Sequence, residues 1–191
     1  MYVVTAHAGQ QRLLILGDSI SAAYGMSVSQ GWVALLAGRL EQTHPEVTVI
    51  NASISGETTG GGLRRLPELL AQHQPTIVLL ELGGNDALRG FPIKSFRNNL
   101  TEMTTLSQAE AARVVLVQME IPPNYGKRYT SAFHDSYFLV AENTDSVLAP
   151  FLLDGIAGDA KLMQNDGIHP NEQAQVLLLD NILPTLLPML D

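Results

Sequence analysis

Four short segments of this chain carry residue types that can do chemistry together. Gly17-Asp18-Ser19 holds a hydroxyl that becomes a nucleophile only beside a base. Asp166-Gly167-Ile168-His169-Pro170 can supply one. Its Asp and His stand three residues apart, Gly167 relaxes the turn, and Pro170 disfavours helix at His169. The carboxylate can then accept from one ring nitrogen and leave the other free. Gly83-Gly84-Asn85-Asp86 offers backbone that a ligand can approach closely, followed by a donating amide, and Ser55-Gly56-Glu57 offers a further backbone N–H. Acyl transfer needs a nucleophile, a base, a group orienting the base, and donors aimed at the developing oxyanion. Ser19, His169 and Asp166 suit the first three roles, and Ser19 N–H, Gly56 N–H and the Asn85 amide suit the fourth. Taken singly, each segment reads equally as a turn or a helix cap. What separates the two readings is whether the fold brings all four to one place.

The elements that would do so follow from hydrophobic spacing. Residues 12–16, 47–50, 76–82, 114–117 and 147–151 are apolar runs without polar alternation, the pattern of strands buried on both faces. Between them, residues 31–42, 59–73, 93–108, 130–143 and 171–187 carry helical spacing. This alternation predicts an α/β protein, a three-layer α/β/α sandwich on a five-stranded parallel sheet in the flavodoxin-like order 2-1-3-4-5. Ligands in such sheets sit beyond the carboxyl ends of the strands where the order reverses, here between the first and third strands. Three of the four segments follow predicted strands and the fourth lies in the last loop, so all are expected on one rim. No repeat or linker divides the chain, and the expected organisation is an extension over 1–10 and a single domain over 11–191.

Composition narrows the alternatives. With 191 residues, 46% of them hydrophobic, the chain can bury a core and is not disordered. There is no cysteine, which excludes disulfides, thiolate nucleophiles and thiolate metal sites. A formal net charge of -8 is the wrong sign for nucleic acid or anionic membranes. The apolar run over 176–190 is broken by Asp180, Asn181, Pro184 and Pro188 and reads as a buried terminal helix, not a membrane span. Ala6-His7-Ala8-Gly9 fits the small-residue pattern of a secretory cleavage site, but a positive start and a long apolar stretch are missing. It reads either as the remnant of a signal peptide, with a periplasmic or secreted protein expected, or as an ordinary terminus.

Gly17-Asp18-Ser19, Gly56, Gly83-Gly84-Asn85-Asp86 and Asp166-x-x-His169 together resemble the SGNH hydrolases, also called GDSL esterases/lipases, over almost the whole chain. Leu82-Gly83-Gly84-Asn85-Asp86-Ala87-Leu88-Arg89-Gly90 and Pro123-Asn124-Tyr125-Gly126 resemble the family's bacterial subgroup of thioesterases, lysophospholipases and arylesterases. The resemblance implies the SGNH hydrolase fold and ester and thioester hydrolysis, with Ser19, Asp166 and His169 catalytic and Ser19, Gly56 and Asn85 as oxyanion donors. It also implies no cofactor, no metal, and a loop at about residues 86–92 that moves on substrate binding. Ala23 stands where the family commonly has Gly, and Glu120 where a basic residue is expected. The second departure leaves chain-length and head-group preference open.

The expected substrate-binding residues are Asp86, Leu88, Phe91, Pro92, Ile121 and Pro122, which read alternatively as loop residues packing the sheet edge. Arg64 and Arg65 could meet a coenzyme A phosphate or form a solvated helix face. The expected partner is a small acyl ester or thioester, met by a monomer that does not insert into membranes. Two rivals use the same rim. One is a metal-dependent hydrolase with Asp18, Asp86, Asp166 and His169 as ligands. The other is a non-enzymatic, flavodoxin-like binding module with Gly60-Gly61-Gly62 as a phosphate loop, although these glycines follow the wrong strand and no Lys-Ser/Thr comes after them.

Overall fold

The computed structural model describes residues 10–190, so the expectation for residues 1–10 lies almost wholly outside the described residues. Five parallel strands, β1 (Gln11–Gly17), β2 (Val47–Asn51), β3 (Ile77–Glu81), β4 (Arg113–Val117) and β5 (Val147–Ala149), form one sheet in the order β2-β1-β3-β4-β5. This is the expected topology. The helices are α1 (Trp32–Thr43), α2 (Thr59–His73), α3 (Gly84–Leu88), α4 (Ile93–Ala109), α5 (Lys127–Thr144) and α6 (Gln175–Leu190).

Strand periodicity divides the core in two. Side chains alternate along β1, so Leu13 and Ile15 face α1 and α6, packing with Leu36, Leu40 and Ile182, while Leu14 and Leu16 pack with Leu66, Phe96 and Tyr137. The second group belongs to α2, α4 and α5. Because both faces are covered, Leu13 to Leu16 and Ile77 to Leu80 are wholly buried, which is why these strands read as unbroken apolar runs. The expected fifth strand is shorter than predicted and stops before Pro150, which has no N–H to donate to a ladder.

Helices α1 and α6 meet at one buried amide. Gly31 caps α1 without a side chain, and the orphan Trp32 N–H donates instead to Gln175 Oε1 at 3.0 Å, while Gln175 Nε2 donates to Asn171 O at 3.0 Å. Gln175 is 1% exposed. Gln175→Leu leaves the Trp32 N–H unpaired, while Asn171 O keeps the Ala174 N–H at 3.2 Å, so it is expected to lower stability by about 1–3 kcal/mol, read as a lower urea midpoint at unchanged m-value.

Candidate functional site

The strand order reverses between β1 and β3, where Gly17 lies opposite Glu81. Gly17 is small for want of space. A Cβ there would stand 2.5 Å from Glu81 Oε2 and 2.8 Å from the Ser21 side chain. Beyond it the chain coils at once, with Ala22 N–H donating to Asp18 O and Tyr24 N–H to Ser19 O, both at 3.0 Å, and this holds Ser19 half-buried on the rim. Ala23, the departure from the family's glycine, takes the left-handed conformation that favours glycine, at φ 57°.

Ser19 Oγ lies 2.9 Å from His169 Nε2, and His169 Nδ1 lies 2.6 Å from Asp166 Oδ2. The other carboxylate oxygen accepts the backbone N–H groups of Ile168 at 2.9 Å and His169 at 3.0 Å. These donors hold the Asp166 carboxyl down at about 2, the His169 backbone N–H most strongly, then the ring and the Ile168 N–H. Two contacts that the sequence did not suggest steady the arrangement. The Tyr24 ring packs on the His169 ring with centroids 4.4 Å apart. Gln164 Nε2 donates to Tyr24 O at 2.8 Å and to Pro170 O at 3.0 Å, tying the serine loop to the histidine loop. A long-range amide of this kind has no local signature in sequence.

The candidate oxyanion donors come to the same rim by separate routes. Asn85 Nδ2 donates to Asp18 Oδ2 at 3.0 Å and Asp18 Oδ1 accepts Ile20 N–H at 3.0 Å, so one amide hydrogen of Asn85 is anchored and the second is left for a ligand. The Gly56 loop hangs on β1 through Ile54 N–H to Gly17 O at 3.1 Å and Gly17 N–H to Ser53 Oγ at 3.0 Å. Gly56 has φ +78°, and its carbonyl accepts Arg89 Nη2 at 3.0 Å. Gly83 is required twice over: its φ is +128°, and a Cβ would stand 2.3 Å from Tyr137 Oη.

The expected substrate residues divide. Asp86 is 3% exposed, and its carboxylate accepts Thr59 N–H at 2.8 Å and Thr59 Oγ1–H at 2.6 Å, anchoring the start of α2. Helix α3 carries Asp86 inward. Leu88 and Ile121 are half-buried, while Phe91, Pro92 and Pro122 are exposed. Tyr125 Oη donates to Leu88 O at 3.1 Å and Tyr129 Oη to Phe91 O at 2.7 Å, which ties the segments after β3 and β4 together. Ile54, 47% exposed in the loop after β2, adds an apolar side chain that the sequence reading missed. Arg65 is committed elsewhere, to Glu57 Oε2 at 2.9 Å and Ala52 O at 3.0 Å, so of the arginine pair only Arg64 has an exposed side chain.

The metal-site rival fails on geometry. Asp18 turns to Asn85 and Ile20, Asp86 to Thr59, and Asp166 to His169. Among the described residues no group of three or more His, Asp or Glu is placed to hold a metal ion.

The fold and the site together define a serine-dependent acyl hydrolase, and comparison with known proteins agrees. The GDSL-like Lipase/Acylhydrolase family matches residues 15–177. Esterase TesA of Pseudomonas aeruginosa is 50% identical over 190 residues, covering 100% of this chain and 94% of the relative. Thioesterase 1/protease 1/lysophospholipase L1 of Escherichia coli is 44% identical over 184 residues, covering 96% and 87%. The crystal structure of the psychrotrophic esterase EstA from Pseudoalteromonas sp., inhibited by monoethylphosphonate, superposes with a TM-score of 0.91 at 48% identity, covering 94% of this chain and 98% of that one. This chain belongs to the GDSL-like lipase/acylhydrolase family and is a hydrolase of the SGNH type, not a binding module.

Proposed function

We propose that this hydrolase cleaves carboxylic esters and thioesters of small acyl substrates through an acyl-enzyme on Ser19. The observation that carries this reading is the chain Ser19 Oγ to His169 Nε2 to Asp166, at 2.9 and 2.6 Å. In the first step Ser19 Oγ attacks the carbonyl carbon and His169 Nε2 takes the hydroxyl proton, while the ionised Asp166 fixes the ring and balances the imidazolium. The oxyanion accepts from Ser19 N–H, Gly56 N–H and the unanchored hydrogen of the Asn85 amide. His169 then protonates the leaving alcohol or thiol. Water, deprotonated by His169, attacks the acyl-enzyme and releases the acid. Treatment with an ethylphosphonate, followed by mass spectrometry, tests the assignment. One phosphonyl group on Ser19 and a parallel loss of activity are expected; modification elsewhere overturns it.

The acyl chain lies along Leu88, Phe91, Pro92, Ile121 and Pro122, with Ile54 at the opposite side of the rim. If each methylene that enters this strip contributes about 0.8 kcal/mol, kcat/KM for p-nitrophenyl esters rises up to about fourfold per carbon until the strip is filled. Rates that do not depend on chain length remove the groove.

Thioesters and lysophospholipids belong to this proposal because a relative bears the names thioesterase and lysophospholipase. Rates on acyl-CoA, lysophospholipid and aryl ester compared side by side would rank the three classes. We also place the protein in the periplasm or outside the cell and acting as a monomer. Support for the first is the cleavage-like Ala6-His7-Ala8-Gly9, and for the second that all the residues of the site come from one chain. Among the described residues no helix is long and apolar enough to cross a membrane.

A further inference from the structure

We propose that Glu81 is a positioning residue for this hydrolysis, one of its carboxyl oxygens clamping the chain on both sides of the nucleophile, a role that rests on the acyl-enzyme reading of Ser19. Glu81 is the last residue of β3 and is wholly buried. Its Oε2 accepts Asp18 N–H at 3.2 Å and Ser21 Oγ–H at 2.6 Å, so the residues immediately before and two after Ser19 hang on one atom. Its Oε1 is buried and has no hydrogen-bond partner.

A carboxyl group is a costly choice for packing alone. Its neighbours Leu80 and Leu82 are equally buried and apolar, and an acid with an unpartnered oxygen carries a desolvation cost that a leucine would not. What the acid adds is reach. By holding Asp18 N–H it sets the backbone from which the Asp18 carboxylate extends, and that carboxylate in turn holds Ile20 N–H and the Asn85 amide. Glu81 therefore stands behind both the nucleophile and one oxyanion donor without touching substrate.

The form of the acid follows from its surroundings. Burial raises the Glu81 carboxyl well above the ordinary range and the neighbouring Asp18 adds to it. Burial also raises Asp18, to about 6, against the pull of Ile20 N–H, His169, the Asn85 amide and the Glu81 carboxyl itself. Tyr137 on α5 donates to Leu82 O close by, and burial, with the acidic groups beside it, keeps its phenol un-ionised. Two buried acids side by side do not both ionise at neutral pH. Asp18 has donors for both its oxygens, whereas Glu81 has an orphan oxygen, so Glu81 keeps the proton and acts as a neutral acceptor that an amide of the same shape can replace.

Glu81→Leu, Glu81→Gln and Ser19→Ala, each assayed on a short p-nitrophenyl ester with stability followed in urea across pH, test this. Glu81→Leu is expected to lower kcat about 10²-fold with KM nearly unchanged, the size of effect seen when an oxyanion donor is lost. Glu81→Gln is expected to restore kcat to within about threefold of the unmodified enzyme. A folded-state acid titrating above its unfolded value holds a proton that the unfolded chain releases, so stability falls as pH rises above the ordinary 4.5. That share of the fall should vanish in Glu81→Gln. Full kcat in Glu81→Leu, or Glu81→Gln as slow as Glu81→Leu, or an unchanged pH slope in Glu81→Gln overturns the inference. Should Glu81→Leu not fold, the kcat and pH slope of Glu81→Gln decide it. An active Ser19→Ala would sink the acyl-enzyme reading itself; an inactive Ser19→Ala beside a fully active Glu81→Leu would sink only the role of Glu81.

Discussion

Ser19→Ala is expected to lower kcat for ester hydrolysis at least about 10³-fold while leaving stability within about 0.5 kcal/mol. The loss is large because no other group can take over. The chain has no cysteine, and the base that faces the site, His169 Nε2, points at Ser19 Oγ. The fold should survive because Ser19 is only half-buried and its loop is held by backbone bonds and by Asp18 and Ser21, none of which uses the Ser19 hydroxyl. Initial rates with a p-nitrophenyl ester and a urea melt measure both halves. A variant that keeps more than about a hundredth of the rate would show that Ser19 is not the nucleophile.

Asp166→Asn should lower kcat by about 10³ to 10⁴, again with little change in fold. Asparagine keeps the size of the side chain but can present an N–H to His169 Nδ1, favouring the tautomer that carries its proton on Nε2. That form cannot accept from Ser19. The pH dependence separates this role from general acid–base work by Asp166 itself. Asp166 titrates at about 2, below its ordinary 3.8, so it is ionised throughout the working range. Because the folded-state value is the lower one, its contribution to stability is complete above about pH 4 and is lost as pH falls through about 2. The acid limb of kcat/KM should therefore not follow Asp166, and a carbon-detected NMR titration of its carboxyl should show the midpoint near 2. A midpoint near 4 would mean that the pairing with His169 is not formed in solution.

Much of the molecule was legible in one dimension, for reasons that differ by element. β1 and β3 are covered on both faces, so Leu13 to Leu16 and Ile77 to Leu80 left an unbroken apolar signal, and parallel strands joined by helices admit few topologies. The same rule located the candidate site, because a ligand crevice lies at the reversal of strand order whatever the side chains are. The contact of Asp86 with Thr59 was not legible, because it depends on the chain entering α3 at Gly84 and on a partner 27 residues away. Tyr24, Gln164 and Gln175 were missed since each acts across more than 130 residues, on a partner that sequence spacing cannot show.

What the sequence determined by itself is chemical: no thiolate nucleophile, since cysteine is absent, an Asp-x-x-His pair close enough to hydrogen-bond within one turn, and apolar runs of the kind that strands buried on both faces show. Those are matters of composition and of neighbours along the chain. The tertiary structure decided which atoms meet. It turned the Asp18, Asp86 and Asp166 carboxylates toward three different donors, left one amide hydrogen of Asn85 free, and set Glu81 beneath the serine loop. Contacts of this kind depend on distances of a few tenths of an ångström between residues far apart in the chain, and only the packed sheet and helices fix those.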